Sequence, residues 1–182
     1  MNHKKPLNPR SLNPSNPAAP DPSIPALSVP HITVGIMDRQ DEITGQFEGT
    51  YWIEGFGPFS EGFSAKIADK SIVFFDALHN KIVQSQTVRS IAGKDSYFRV
   101  ANVTIGIDFH WERKEEQAFQ GNLILMLRDN GTMAVINEID IEDYLESVIS
   151  SEMNNAAPSE FLKAHAILSR SWLLSALEQK KA

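Results

Sequence analysis

The chain of 182 residues has no cysteine, no apolar run long enough to form a membrane helix, and only two prolines beyond position 30. Each absence excludes something. Without cysteine there are no disulfides and no thiolate metal site within the chain. A spanning helix needs ~18 consecutive apolar residues, and no stretch approaches that, so no transmembrane segment is expected. Basic residues are also in deficit, with 17 Lys and Arg against 23 Asp and Glu, a formal charge of −6. A general nucleic-acid binder would present a basic face, so no nucleic-acid partner is expected. The start, Met1 to Lys5, is basic, but no apolar stretch follows, and no signal peptide is visible.

Eight of the ten prolines fall between Pro6 and Pro30, mixed with Asn, Ser and Ala. Such a segment buries too little apolar surface to offset its ordering entropy, so 1–30 is expected to be a disordered Pro/Asn-rich tail. From His31 the pattern becomes β, with short alternating runs broken by Gly-rich punctuation such as Gly55-Phe56-Gly57-Pro58. Strands are expected over His31–Met37, Gln46–Glu54, Gly62–Ile67, Ser71–Phe75, Lys81–Arg89, Tyr97–Arg99 and Val103–Glu112. Leu123–Leu127 and Met133–Ile136 form a hairpin pattern, with Asp129-Asn130-Gly131 supplying turn residues that tolerate positive φ. In all, eight or nine strands are expected, with 31–118 as a β-rich domain.

At Asp140 the period turns helical. Asp140 is a candidate N-cap, and Glu142 and Asp143 sit in the first turn, where carboxylates favour the positive dipole end. Ile141, Tyr144, Leu145, Val148 and Ile149 follow the spacing of a core-facing stripe. Asn154-Asn155 break the pattern, and Pro158 opens a second helix running to about Gln179. The fold class is therefore α+β, a β-rich N-terminal unit followed by a helical hairpin packed on the sheet.

Six acids lie between Glu138 and Glu152, and five of them have ordinary solvent-facing positions. Glu152 falls instead near the middle of the apolar sector, which is about 140° wide. An acid there is either an end residue reaching for water or a site carboxylate. Partial burial would raise its pKa towards the range a general acid needs. On the second helix Lys163 and Arg170, seven residues apart, share a polar seam, either a solvated strip or cations lining a groove beside Glu152. His165 lies on the stripe of Phe161, Leu168 and Trp172, where a core histidine with a hydrogen-bond partner is the simpler account. A lone histidine is poor evidence for a metal, so no metal and no cofactor are expected. His110 to Arg113 could offer a sugar platform or simply alternate into solvent. Tyr51-Trp52 and Phe56 to Phe59 fit core and turn.

Asn137-Glu138-Ile139-Asp140-Ile141-Glu142-Asp143-Tyr144-Leu145, Val148 and Ser151-Glu152-Met153 resemble the "NELPLEDYL…GVV…EM" signature of the SpoIID/LytB family. Phe161 to Ala166 and Ser169-Arg170-Ser171-Trp172 resemble its "ALKAQA…ARTY" element. Asn154, Ser147 and His165 depart from that pattern, standing where the family has proline, glycine and glutamine. The resemblance makes 119–182 the N-terminal part of a SpoIID/LytB-like domain, truncated because the family domain continues past the second element. It implies peptidoglycan remodelling, by a lytic transglycosylase that cleaves peptide-stripped glycan strands or by a non-catalytic, wall-binding amidase enhancer. The partners implied are glycan strands and a cell-wall amidase, and the location implied is the cell envelope. The resemblance also makes Glu152 the catalytic acid, and Lys163 and Arg170 substrate-binding residues. One carboxylate suffices for such chemistry because the sugar's own hydroxyl replaces the water of ordinary glycosidases.

Overall fold

The computed structural model describes residues 30–106, 110, 112–153 and 157–179, apart from the side chain of Glu152. The tail expected over 1–30 lies, save for Pro30, outside the described residues, as do Asn154, Asn155 and Trp111. Twelve strands are described, β1 (His31–Gln40), β2 (Glu42–Glu48), β3 (Tyr51–Ile53), β4 (Gly57–Phe59), β5 (Gly62–Ala68) and β6 (Ser71–Asp76), then β7 (Lys81–Ser85), β8 (Thr87–Ala92), β9 (Tyr97–Ile105), β10 (Arg113–Gln120), β11 (Asn122–Leu127) and β12 (Met133–Asp140). Two helices follow, α1 (Ile141–Glu152) and α2 (Ser159–Gln179). The fold is α+β.

The strands form two six-stranded antiparallel sheets, ordered β1-β12-β11-β8-β3-β4 and β10-β9-β2-β5-β6-β7. More strands are described than the eight or nine expected: two expected strands bend from one sheet into the other, β4 forms within the Gly-rich stretch read as a break, and the strand expected over Val103–Glu112 ends at Ile105, with β10 following from Arg113. The run Gln46 to Glu54 turns at Gly49, whose φ of 86° suits glycine. It serves the second sheet as β2 and the first as β3. Lys81 to Arg89 divides in the same way at Gln86 into β7 and β8. Corners of this kind let one chain segment line both layers of a sandwich. Conversely, the expected break between Arg99 and Val103 is absent. β9 runs through it with Asn102 at φ 59° and a register shift against β10. The expected hairpin is found as β11 and β12, closed by Gly131 at φ 81° and by the Arg128 N–H donating to the Thr132 carbonyl. Although 119–182 opens a new segment in sequence, its strands β11 and β12 pair with β8 and β1 within the first sheet.

Alternation sends one face of each sheet inward, and an aromatic cluster fills the space between them. Phe47 is 1% exposed, stacked on Tyr51 at 4.2 Å and on Phe63 at 4.7 Å, with Phe59 edge-on at 5.9 Å. Phe74 and Phe98 extend the cluster, and Leu123, Leu125, Met133 and Val135 close it from the first sheet. Tyr51 alternates with its neighbour, as its ring is fully buried while Trp52 points out. Burial pushes the Tyr51 phenol well above its ordinary pKa, so it stays a neutral donor and bonds the Gly121 carbonyl at 3.0 Å.

Because Phe47 touches four rings, Phe47→Ala should cost about 3–5 kcal/mol, the usual range for emptying a large aromatic site. Urea titration of the variant checks this, and a loss below about 1 kcal/mol would mean that the cluster is not the core it appears from its burial.

Candidate functional site: the groove between the two helices

The site begins where β12 hands over to α1. Asn137 and Glu138 are adjacent, so their side chains leave opposite faces of the strand. Asn137 is 4% exposed, and its amide donates to the carbonyls of Gln120 at 2.8 Å and Asn122 at 3.2 Å. On the outer face the Glu138 carboxylate accepts from the Asn122 amide at 2.7 Å and from the Arg89 guanidinium. Burial alone would raise the Glu138 pKa. The Asn122 hydrogen bond, then Arg89 and His31, outweigh it and hold the carboxyl below its ordinary 4.5. Two residues later the Asp140 carboxylate accepts from the Glu142 N–H at 2.7 Å, the expected N-cap.

Helix α1 packs back on the first sheet through Ile141 and Leu145, which are buried with Ile32 and Ile139. Helix α2 joins this small core only at its far end, through Leu173 and Leu177. Near them the Arg170 guanidinium forks onto the Glu142 carboxylate, with Nε at 2.9 Å, so the two helices are also clamped by charge. The apolar circumference of α2 predicts cover on more than one side. No described residue of α2 is buried, however, and Leu168 and Trp172 are 69% and 73% exposed. Among the described residues α2 is covered along one side, by α1 and the small core at its far end, so the rest of its apolar circumference stays exposed.

Two grooves flank the helix contact. One, of about 380 Å³, is lined by Tyr144 and Val148 of α1 and by His165, Leu168, Ser169 and Trp172 of α2. The other, of about 610 Å³, lies between Ile149 and Met153 on one side and Leu162 and Lys163 on the other. Glu152 is the last residue of α1, and its position falls one turn beyond Val148, on the row that lines the first groove. Its side chain lies outside the described residues. The structure does not bring the two expected cations together. Lys163 pairs with Glu160 at 2.8 Å beside the second groove, and Arg170 is taken by Glu142. Ten residues of helix separate Glu142 from position 152, roughly 15 Å. His165 is half-buried, its ring parallel to that of Phe161 with centroids 6.3 Å apart. Sequence reasoning passed over Tyr144 and Trp172 as groove residues, because both fit an apolar stripe. Of His110 to Arg113, read either as a sugar platform or as solvent-facing, Arg113 is exposed and pairs with Glu115, and Trp111 lies outside the described residues.

The described residues thus form an α+β sandwich closed by a helical hairpin, with a groove on each side of the helix contact and a further cleft of about 350 Å³ between the other side of α1 and the strands, lined by Asn137, Asp143, Tyr144 and Ser147. Residues 129–182 match the family model SpoIID, described as stage II sporulation protein, so this part of the chain is a SpoIID-family segment. The match covers β12, both helices and the turn before them. An uncharacterized protein of Brachyspira hyodysenteriae is 39% identical over 51 residues, 28% of this chain and 14% of that protein's length. No solved structure matches. Among the described residues no helix is long and apolar enough to cross a membrane.

The depressed pKa of Glu138 carries a sign. Its bonds stabilise the fold fully above the unfolded carboxyl's pKa and are lost as pH falls through the lower, folded value. Glu138→Gln should therefore destabilise the protein by about 1–3 kcal/mol near neutral pH, the range for hydrogen bonds to a charged group. Thermal melts from pH 7 down to pH 3 should show the gap to wild type closing below 4.5; a gap that stays constant would remove the ionised Glu138 from the account.

Proposed function

We propose that this protein acts in peptidoglycan remodelling, as a lytic transglycosylase on peptide-stripped glycan strands. The observation that carries the reading is the groove of Tyr144, Val148, His165, Leu168, Ser169 and Trp172, which runs along α1 towards position 152 inside the family segment. A sugar ring has apolar C–H faces and a polar rim. Exposed aromatic rings suit the former, and the imidazole and hydroxyl suit the latter.

In this reading the Glu152 carboxyl gives its proton to the glycosidic oxygen as the bond from that oxygen to C1 breaks. The resulting carboxylate takes the proton of the muramic 6-hydroxyl as its oxygen bonds to C1, closing an anhydro ring and restoring the acid. No water is consumed, so a second carboxylate is not needed. Lys163 and Arg170 are the cations of this reading, and each reaches the glycan only by leaving its acid, Glu160 or Glu142. The cell envelope is the compartment this substrate requires.

A second reading, a wall-binding amidase enhancer, is favoured by the bare face of α2. Ile167, Leu168 and Trp172 are 62%, 69% and 73% exposed, the kind of patch a protein partner covers. One experiment separates the two. Incubation with peptide-stripped peptidoglycan should release anhydro-muramyl fragments, seen by mass spectrometry, and Glu152→Gln should abolish them. Trp172→Ala should lower the yield at least roughly tenfold, since losing a stacking ring costs about 1.4 kcal/mol or more. Undiminished product from Glu152→Gln rejects the catalytic role. An absence of product together with stimulation of an added amidase that survives Glu152→Gln supports the enhancer.

A further inference from the structure

The outer face of the first sheet carries a feature that the helix groove does not explain. Trp52 is 56% exposed on β3, between Tyr51 and Ile53, which are fully buried. Its register partners are Pro58 on β4 and Ile91 on β8, and Ile91 is itself 39% exposed. One step along β11 from the Leu123–Ser90 pair, Asn122 continues the same row, and Asn122 pairs in turn with Glu138 on β12. At strand spacing the row from Trp52 to Glu138 spans about 14 Å, a length of roughly three sugar rings. Beyond Asn122 the face drops into a cleft of about 520 Å³, whose walls include His31, Asp95, Ser96, Tyr97 and Glu138.

We infer that this face, from Trp52 across Ile91 and Asn122 into the cleft beside His31 and Glu138, binds an uncharged, hydroxyl-rich oligosaccharide. The apolar end offers a flat indole and an aliphatic neighbour, on which a pyranose ring can stack. The polar end offers planar groups. Arg89 bridges Glu54 and Glu138, so the charges on the sheet are set against each other, while Asp95, Asp140 and Asp143 leave the cleft acidic. Carboxylates only accept hydrogen bonds, and a neutral sugar brings the hydroxyl donors they lack. The same carboxylates repel phosphate, sulfate and uronate groups, which excludes nucleic acid and anionic glycans. A second copy of the chain fits less well. Trp52, Ile91 and Met126 together offer roughly 200–300 Å² of exposed apolar surface, against the ~800 Å² per partner of a standard interface. This surface lies outside the helix groove and stands whether or not Glu152 is catalytic.

The test is calorimetric titration of the whole chain with four neutral or charged probes: cellotetraose, the tetramer of N-acetylglucosamine, a uronic-acid tetramer and the glucosamine tetramer. At least one neutral tetramer should bind, and the uronic-acid tetramer should not. Trp52→Ala should weaken the neutral ligand roughly tenfold or more, Trp52→Phe should restore part of that, and Asp95→Asn should weaken it a few-fold. Melting curves confirm that these exposed-site variants fold. Unchanged affinity in folded Trp52→Ala overturns the proposal, as does binding confined to the charged tetramers or no binding by either neutral one. Sedimentation showing self-association that Trp52→Ala abolishes, with no neutral saccharide bound, would also overturn it and assign the face to a second copy.

Discussion

The turn from Gln120 to Asn122 is held from three directions, and the placement of the helices depends on it. Tyr51 bonds the Gly121 carbonyl from the core, Asn137 bonds the carbonyls on either side of it, and Glu138 takes the Asn122 amide on the outer face. Gly121 itself has φ 86°, and a Cβ there would stand 2.5 Å from the Glu138 carbonyl, so no other residue fits without displacing β12. This is the corner where the chain leaves the second sheet for the first. Fixing it fixes the register of β11 on β12, and hence the point at which Asp140 ends the strand and caps α1. Buried polar groups that are fully partnered give direction as well as stability, because any other register would strand them.

The same corner gives Asn137 and Glu138 a structural task, although neither lies on the helix groove. Their work is two steps removed from the groove. They aim α1, and α1 sets the row of Tyr144, Val148 and position 152. A sequence reading that weighs each polar residue for chemistry sees a solvated acid at Glu138. What it misses is a carboxylate kept ionised by Asn122, Arg89 and His31, each from a different strand.

Local signals were legible where the physics is local. The Asp129-Asn130-Gly131 turn, the Asp140 cap and the helical stripe from Ile141 depend on residues within a few positions of each other, and all three are found. The strand count was not legible, because a bend from one sheet to the other leaves the β pattern intact on both sides of Gly49 and Gln86, and because β4 is short and Gly-rich and β10 is mostly polar. Nor was the pairing of β1 with β12, which joins residues 93 to 109 positions apart. The spacing of Lys163 and Arg170 puts them on one stripe of α2. Their acids, Glu160 and Glu142, divide them, and Glu142 belongs to the other helix. Trp52 was the harder case, since Tyr51 and Trp52 look equally suited to a core until the pleat assigns one to each face.

Helix α2 shows how little packing a long helix needs when its two holds are of different kinds. Its apolar contacts with α1 are concentrated at Leu173 and Leu177, and its ion pair with Glu142 lies one turn earlier, at Arg170. The exposed pair contributes no more than about 1 kcal/mol, so the apolar contact sets the stability and, with it, most of the rotation about the helix axis. That rotation decides which residues of α2 face α1 across the groove. With Arg170 on Glu142, His165, Ser169 and Trp172 line the side shared with Tyr144 and Val148, and Ile167 and Leu174 turn to water. The groove's composition therefore follows from how Leu173 and Leu177 seat on the small core, with the Arg170–Glu142 pair on the same side agreeing with that seating.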